Sequence, residues 1–479
     1  MSARTRELFG LVPVSLLVAA GFAAVLATRT QDVSDATLTY GAVFLGLCVL
    51  AHLFIRARLP DADPYLFPLG ALLAAVGLVL IYRIDTELAR EQAQWFVVGL
   101  IFFCGTIVLV RDHHVLERYR YLIAAASIVL LMVPRVPGIG AQVNGAFLAI
   151  KLGPIQFQPA EFAKLGIIVF LASYLRETGD ILVRPRLRPL PAARQLLLYG
   201  LPALATLLAI LALDLGAAST VLLIVFVASL VAVMRERPSP KHFGPLLLVW
   251  GLAMLMLIVI RDLGSSLMFF GGFLALLYVA TGRMSLVGVG ATMFFGGSFF
   301  LARNVGHVQE RVDIWLDPFA PGVVNDEGYQ VAQSLFAQAD GGLFGRGFGE
   351  ALIEFAGTPL LPAAHTDLIY AVLVNEAGLF GAAGVIGAYL LFSFRGFKIA
   401  MLAADGFSKL LAAGLTAVLA LQVFVIVGGV TRVIPLTGVT LPFVSYGGSS
   451  IVANMVLLAL LLIVSDHARS ERIRRGGLV

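Results

Sequence analysis

Residues 303–365 hold a dense mixture of side chains able to do chemistry. They include Arg311, Trp315 and Asp317-Pro318, then Asn325-Asp326-Glu327-Gly328-Tyr329-Gln330 and Ser334. A glycine-rich run, Gly341-Gly342 through Gly345, Gly347 and Gly349, and His365-Thr366-Asp367 complete it. Carboxylates beside an imidazole can take a proton from a hydroxyl nucleophile, and the mixture suits a polar group carried on a lipid. A capping loop whose glycines allow tight turns is the plainer reading. The run Gly345-x-Gly347-x-Gly349 has no preceding strand, which argues against a phosphate fingerprint.

Two further clusters carry polar groups in apolar surroundings. Asn144, Gln158, Glu161 and Lys164 flank the start of an apolar run, and Glu161 and Lys164, three apart, share a helix face. Charges at such depth cost about 2.5–3.5 kcal/mol each, so they either line a polar cavity or form a structural ion pair. The other cluster runs from Gly428-Gly429 through Arg432 and Pro435 to Ser445-Tyr446-Gly447-Gly448. It reads as a helix broken and restarted, tolerated at membrane depth only where protein or a wet cavity surrounds it. Arg432 suits either a phosphate, as a planar fork, or an interfacial anchor. Trp95, behind Gln92, reads as a belt residue.

The elements that must position these groups follow from composition. Of 479 residues, 59% are hydrophobic and 13% charged, about half the usual charged share. The chain cannot cover its apolar surface with polar groups, so an all-α, polytopic transmembrane bundle is expected. Apolar runs long enough to span lie near 9–28, 37–55, 64–82, 93–110, 119–133, 159–175, 195–213, 216–234, 242–260, 265–281, 285–302, 366–394, 407–431 and 449–465. That makes about 14 spans. With both termini inside, about 23 of the 34 Lys and Arg residues fall in inner segments, as the positive-inside rule expects. The net charge of +5 is therefore a matter of topology, and no nucleic-acid partner is expected. The polar clusters then face outward, with 303–365 as one long extracellular loop.

The first run, from Phe9, has no small-residue cleavage site and is expected to stay as a helix. Cys48 and Cys104 sit in apolar runs and read as packing thiols. Asp214-Leu215-Gly216 and Asp262-Leu263-Gly264 lie equally far before Arg235 and Arg283, the mark of a duplicated helix pair or of apolar composition imitating one.

Together these motifs resemble, in order, the SEDS family of cell-wall proteins (RodA, FtsW, SpoVE), from about Gln92 to Asn454. Gln92 with Trp95 looks like Gln-x-x-Trp. Residues 153–164 resemble Gly-Pro…Gln-Pro-Ser-Glu-Phe-x-Lys, with Ala160 for the serine. Asp262-Leu263-Gly264-Ser265-Ser266, Gly328-Tyr329-Gln330 with Ser334, the 341–347 glycines and His365-Thr366-Asp367 follow in family order. Residues 428–450 are close to the actinobacterial RodA-type version.

The resemblance implies a single membrane domain over 1–479. It has extra helices in 1–82, a SEDS-like core over 83–466 with an inserted pair at 195–234, and a basic cytoplasmic tail at 467–479. It implies a peptidoglycan glycosyltransferase in the cytoplasmic membrane. Lipid II would be polymerised at the outer face, among membrane lipids, for elongation or division, with a class B penicillin-binding protein as partner. Undecaprenyl pyrophosphate would leave with inversion, its charge offset by cations or by a divalent ion, Mg or Mn. Asp326 is the carboxylate nearest the family's essential aspartate and the chosen general base, with Asp317 and Glu327 as alternatives. Substrate-binding roles are implied for Gln92, Trp95, Asn144, Gln158, Glu161, Lys164, Asp262, Tyr329, Gln330, Ser334, His365, Asp367, Arg432, Ser445 and Tyr446.

The sequence departs from the pattern at Pro321, where a second Asp-Pro is usual, with about two extra residues before Gly328. Phe147-Leu148 and Asn375-Glu376 depart too. A weakened scaffold for a penicillin-binding protein and a lipid-linked sugar flippase therefore remain as alternatives.

Overall fold

The computed structural model describes residues 3–30, 35–136, 138, 140–143, 146–152, 155–183, scattered positions within 199–252, 262–304, 306–350, 354–355, 358–361 and 363–476. The spans expected at 195–213, 216–234 and 242–260 lie largely outside them, as do Asn144 and the first half of the proposed repeat.

Long apolar runs become helices because in lipid every backbone amide must be bonded within its own segment. They are α1 (Ala3–Thr30), α2 (Asp35–Arg58), α3 (Leu66–Ile84), α4 (Thr86–Leu109), the short α5 (His114–Arg118), α6 (Arg120–Met132) and α7 (Pro159–Val183). After the undescribed stretch come α8 (Leu263–Thr281), α9 (Met284–Asn304), α10 (Gly306–Leu316), α11 (Tyr329–Gly341), α12 (Ile369–Leu402), α13 (Gly406–Val430) and α14 (Gly448–Arg474). Eight of these are long and apolar enough to cross a membrane, and the chain is a multi-pass membrane protein. Small antiparallel strands, β1 (Gly140–Val143), β2 (Ala146–Leu152) and β3 (Ile155–Phe157), precede α7, and β4 (Glu354–Phe355) pairs with β5 (Thr358–Pro359).

Acidic N-caps set where three spans begin. Asp85 accepts from the amides of Glu87 and Leu88 (2.7 and 3.2 Å), Asp262 from Ser265 (2.9 Å) and Asp405 from Ser408 (2.9 Å). Each cap satisfies amides that a helix start leaves unbonded. Helix α14 is central, with 89% of its apolar window buried, whereas α1 buries 28% and lies at the margin. It packs along α4 and also meets α7, α12 and α13.

The stretch 303–365 is not an open loop: α10 and α11 occupy much of it. Its glycines have a specific task. Helix α12 breaks at Gly378 (φ 65°, ψ −171°), and the 341–350 turn bonds to the exposed backbone. The amides of Arg346 and Gly347 donate to the carbonyls of Asn375 and Glu376 (2.9 and 3.0 Å). Those of Leu379 and Phe380 donate to Gly342 and Leu343 (3.0 and 3.1 Å). A Cβ on Gly345 would lie 2.0 Å from the Glu376 carbonyl oxygen, so only glycine fits.

Candidate active site

The segment 431–447, between α13 and α14, is irregular, and polar groups from distant parts of the chain meet around it. Arg432 and Phe443 take left-handed φ values of 61° and 66°. Such backbone is costly for non-glycine residues and collects at functional sites.

One polar chain crosses the bundle here. Lys164 of α7 pairs with Glu161 and donates to Gln422 Oε1 of α13 (2.7 Å). Gln422 Nε2 then donates to the Thr440 carbonyl (2.7 Å), and Thr440 Oγ1 to Ser450 Oγ of α14 (2.8 Å). Glu161 and Lys164 are 6% and 2% exposed, so a bonded partner at each step is what makes the burial tolerable. Both alternatives for the pair had a physical basis; the structure shows a buried ion pair extended by an amide. Nearby, the Gln158 amide donates to Ser449 Oγ (2.8 Å).

The second group sits on α4 and the 363–368 turn. Gln92 holds the peptide at the start of α14: its Nε2 donates to the Ser445 carbonyl (3.4 Å) and its Oε1 accepts from the Gly447 amide (3.2 Å). Trp95 lies against Gly448, where a Cβ would come 2.3 Å from its ring. Ser445 Oγ donates to the Thr366 carbonyl (2.7 Å) and accepts from the Leu441 amide (2.8 Å). Tyr446 donates to Glu91 and packs edge-on against His365, ring centroids 5.6 Å apart. The Tyr446 amide donates to the His365 carbonyl (2.8 Å). Burial lowers the pKa of His365 and raises that of Tyr446.

Asp262 and Asp367 complete this end. Burial raises Asp262, partly offset by its bonds to Ser265 and by the field of Arg311, while Glu161 adds to the rise. Burial pushes Asp367 up to about 6, opposed by Arg311 and Thr366. Gly438 lies beside it, a Cβ there being 3.4 Å from Asp367 Oδ2. Arg311 itself donates to the Leu436 carbonyl (2.8 Å).

Arg432 directs Nε to the Trp315 carbonyl (2.8 Å) and an Nη to that of Leu316, and Trp315 Nε1 returns a bond to the Arg432 carbonyl (3.1 Å). Its fork therefore braces the end of α10. Asp317, Asp326 and Glu327 are exposed on the turns between α10 and α11. Tyr329 and Gln330, half-buried, open α11. Ser334 is buried and turns its hydroxyl onto the Val331 carbonyl (2.9 Å), its own helix.

Sequence reasoning missed Gln422, Thr440 and the bracing use of Arg311. Gln422 was findable, as the one amide in the apolar run 410–430. It also left out the pair between half-buried Arg83 and buried Glu376 (3.0 Å) that joins α3 to the broken α12.

Comparison with known proteins decides the family. The model described as "Cell cycle protein", spanning FtsW, RodA and SpoVE, matches residues 65–237 and 221–470. The chain belongs to this family. Similar relatives include the peptidoglycan glycosyltransferase RodA of Mycobacterium bovis, 37% identical over 97% of this chain and 91% of that protein. The stage V sporulation protein E of Bacillus subtilis is 28% identical over 85% and 98%. Among solved structures, one described as "Structural coordination of polymerization and crosslinking by a peptidoglycan synthase complex" matches with TM-score 0.57 and 27% identity, covering 85% of this chain and 98% of that one. A Thermus thermophilus rod shape determining protein RodA, crystallised as an aspartate-to-alanine mutant, matches with TM-score 0.50 and 26% identity over 84% and 97%. This family member matches the family model from residue 65 onward, so α3 falls within the match.

Proposed function

We propose that this chain is a peptidoglycan glycosyltransferase that polymerises lipid II at the outer face of the cytoplasmic membrane, with a class B penicillin-binding protein as partner. The observation that carries the reading is the convergence of Gln92, Gln158, Glu161, Lys164, Asp262, His365 and Asp367 around the irregular 431–447 segment. The similarity to RodA supplies the substrate class. The Asp262 end is read as the outer one because Arg56, Arg111, Arg176, Arg395, Lys409 and Arg472 gather toward the other, which begins α13 at Asp405.

The acceptor sugar's C4 hydroxyl attacks the donor's anomeric carbon, and the pyrophosphate oxygen departs with the bonding pair. A carboxylate must take the hydroxyl proton, because a neutral alcohol is a poor nucleophile. We assign that role to Asp326, with Asp317 and Glu327 as alternatives on the same exposed turns. Lys164, Arg311 and Arg432 supply the positive field for the departing pyrophosphate. A divalent ion, Mg or Mn, arriving with the pyrophosphate would offset the same charge; among the described residues, no three carboxylate or imidazole groups at this end lie close enough to hold one by themselves.

The test is lipid II polymerisation by the purified complex with the cognate penicillin-binding protein. Wild type makes glycan strands and Asp326→Ala, folded and assembled, makes none. Loss only in Asp317→Ala moves the base to that residue. No polymer from a stable wild-type complex favours the scaffold reading, for which Pro321, in place of the second aspartate, is the specific observation.

A further inference from the structure

At the Asp405 end, a cluster of imidazoles and carboxylates plays no part in the chemistry above. Asp112 and His113 lie between α4 and α5 and His114 opens α5, and one ligand atom from each lies within 4.8 Å of the others. The ring of His467, on α14, has its centroid 5.3 Å from that of His113 and 5.8 Å from that of His114.

The hydrogen bonds fix the tautomer of the buried ring. His113 is 1% exposed, and its Nε2 meets Ser408 Oγ. Ser408 has one hydroxyl proton, and it goes to Asp405 Oδ2. Its oxygen must then accept from His113 Nε2–H, which leaves Nδ1 with a bare lone pair. That Nδ1 is buried and has no hydrogen-bond partner among the described residues. An unpartnered buried polar atom calls for an explanation, of which an ion is one. The arrangement is also that of a metal-binding histidine, whose second nitrogen is held by a hydrogen-bonded neighbour that sets the tautomer. His114 Nδ1 lies 2.7 Å from Asp112 Oδ1, a distance now bridged by a proton that an ion would replace.

We propose that Asp112, His113 and His114 form a binding site for a divalent transition-metal ion of the zinc class, with His467 beside them to close the coordination. Imidazole nitrogens with one carboxylate suit zinc, which takes four ligands in a tetrahedron. Hard cations such as magnesium prefer oxygen. The bound ion pins the α4–α5 turn to α13, through Ser408, and to α14. Helices α4 and α14 are also those that present Gln92, Trp95 and Ser449 at the opposite end. A metal here therefore fastens the same two helices that frame the candidate active site.

The test uses the full-length protein in detergent, purified with a tag free of histidine, stripped with chelator and dialysed against Zn²⁺ or Co²⁺. Wild type binds one ion per chain, Co²⁺ gives the visible absorption of a tetrahedral site, and Zn²⁺ raises Tm. His114→Ala and Asp112→Asn change side chains that are 33% and 60% exposed, so the fold survives, and each abolishes stoichiometric binding and the Tm rise. Ser408→Ala, which frees the tautomer of His113, weakens binding by about 10–100-fold. Failure of wild type to bind either ion overturns the proposal. So does binding that persists undiminished in His114→Ala and Asp112→Asn, since the ion then sits elsewhere. Neither readout depends on polymerisation, so this site stands or falls apart from the proposed activity.

Discussion

Two sets of carboxylates, at opposite ends of the bundle, are held in opposite ways. At the Asp405 end one set is paired with arginines: Asp63 with Arg395, Glu177 with Arg120, Glu117 with Arg176 and Glu7 with Arg4. At the Asp262 end, Asp262 and Asp367 form no ion pair among the described residues. The cation whose field acts on both, Arg311, is bonded to a backbone carbonyl, as is Arg432. Other carboxylates at that end are paired, Glu376 with Arg83, Asp340 with Arg346 and, deeper in the bundle, Glu161 with Lys164. Paired charges hold helices together. Carboxylates held without a cation in contact remain available to a substrate, at the expense of stability.

That contrast can be broken or sharpened by substitution. The largest effect is expected at the proposed base: Asp326→Asn lowers polymerisation by about 10²–10⁴-fold, while Tm stays that of wild type because the side chain is exposed. A parallel loss of Tm would show a structural role instead. Next come the buried pairs. Lys164→Met strands Glu161, and Asp63→Asn strands Arg395; each is expected to cost about 3–5 kcal/mol, read by thermal unfolding in detergent. If the ends differ as described, Asp63→Asn leaves activity per folded molecule unchanged, whereas Lys164→Met reduces it as well.

The pH dependence is a subtler probe. Burial raises Asp367 to about 6, so it is protonated below that pH and ionised above it. Activity that needs the anion falls as pH drops through about 6, by up to tenfold per unit. Asp367→Asn is expected to remove that acid limb, leaving low activity that is flat across the region. A limb that persists in the variant would assign it to another group. The smallest effect is expected at Arg176→Ala: its pair with Glu117 is half-exposed, and the loss is about 0–1 kcal/mol with activity intact.

Much of this was legible in one dimension. Apolar runs of membrane length appear as helices, because burial in lipid leaves the backbone no alternative. The helix starts at Asp262 and Asp405, where an acidic cap precedes an apolar stretch, carry a sequence signal that the reading of apolar runs did not use. The order of motifs identified the family before any contact was known. Less legible was the region 303–365, where the glycines suggested turns. Their actual task, packing on the break at Gly378, depends on a partner segment distant in sequence.

The sequence by itself determined the class of molecule, the family and the residue types at the candidate site, since hydropathy and motif order are properties of the chain alone. Only the tertiary structure decided which of those residues meet. Lys164 finds Gln422, Gln158 finds Ser449, and Arg432 turns to the end of α10. The reason is physical: a hydrogen bond is settled at about 3 Å, and spacing along a helix places residues on a face without naming the helix opposite.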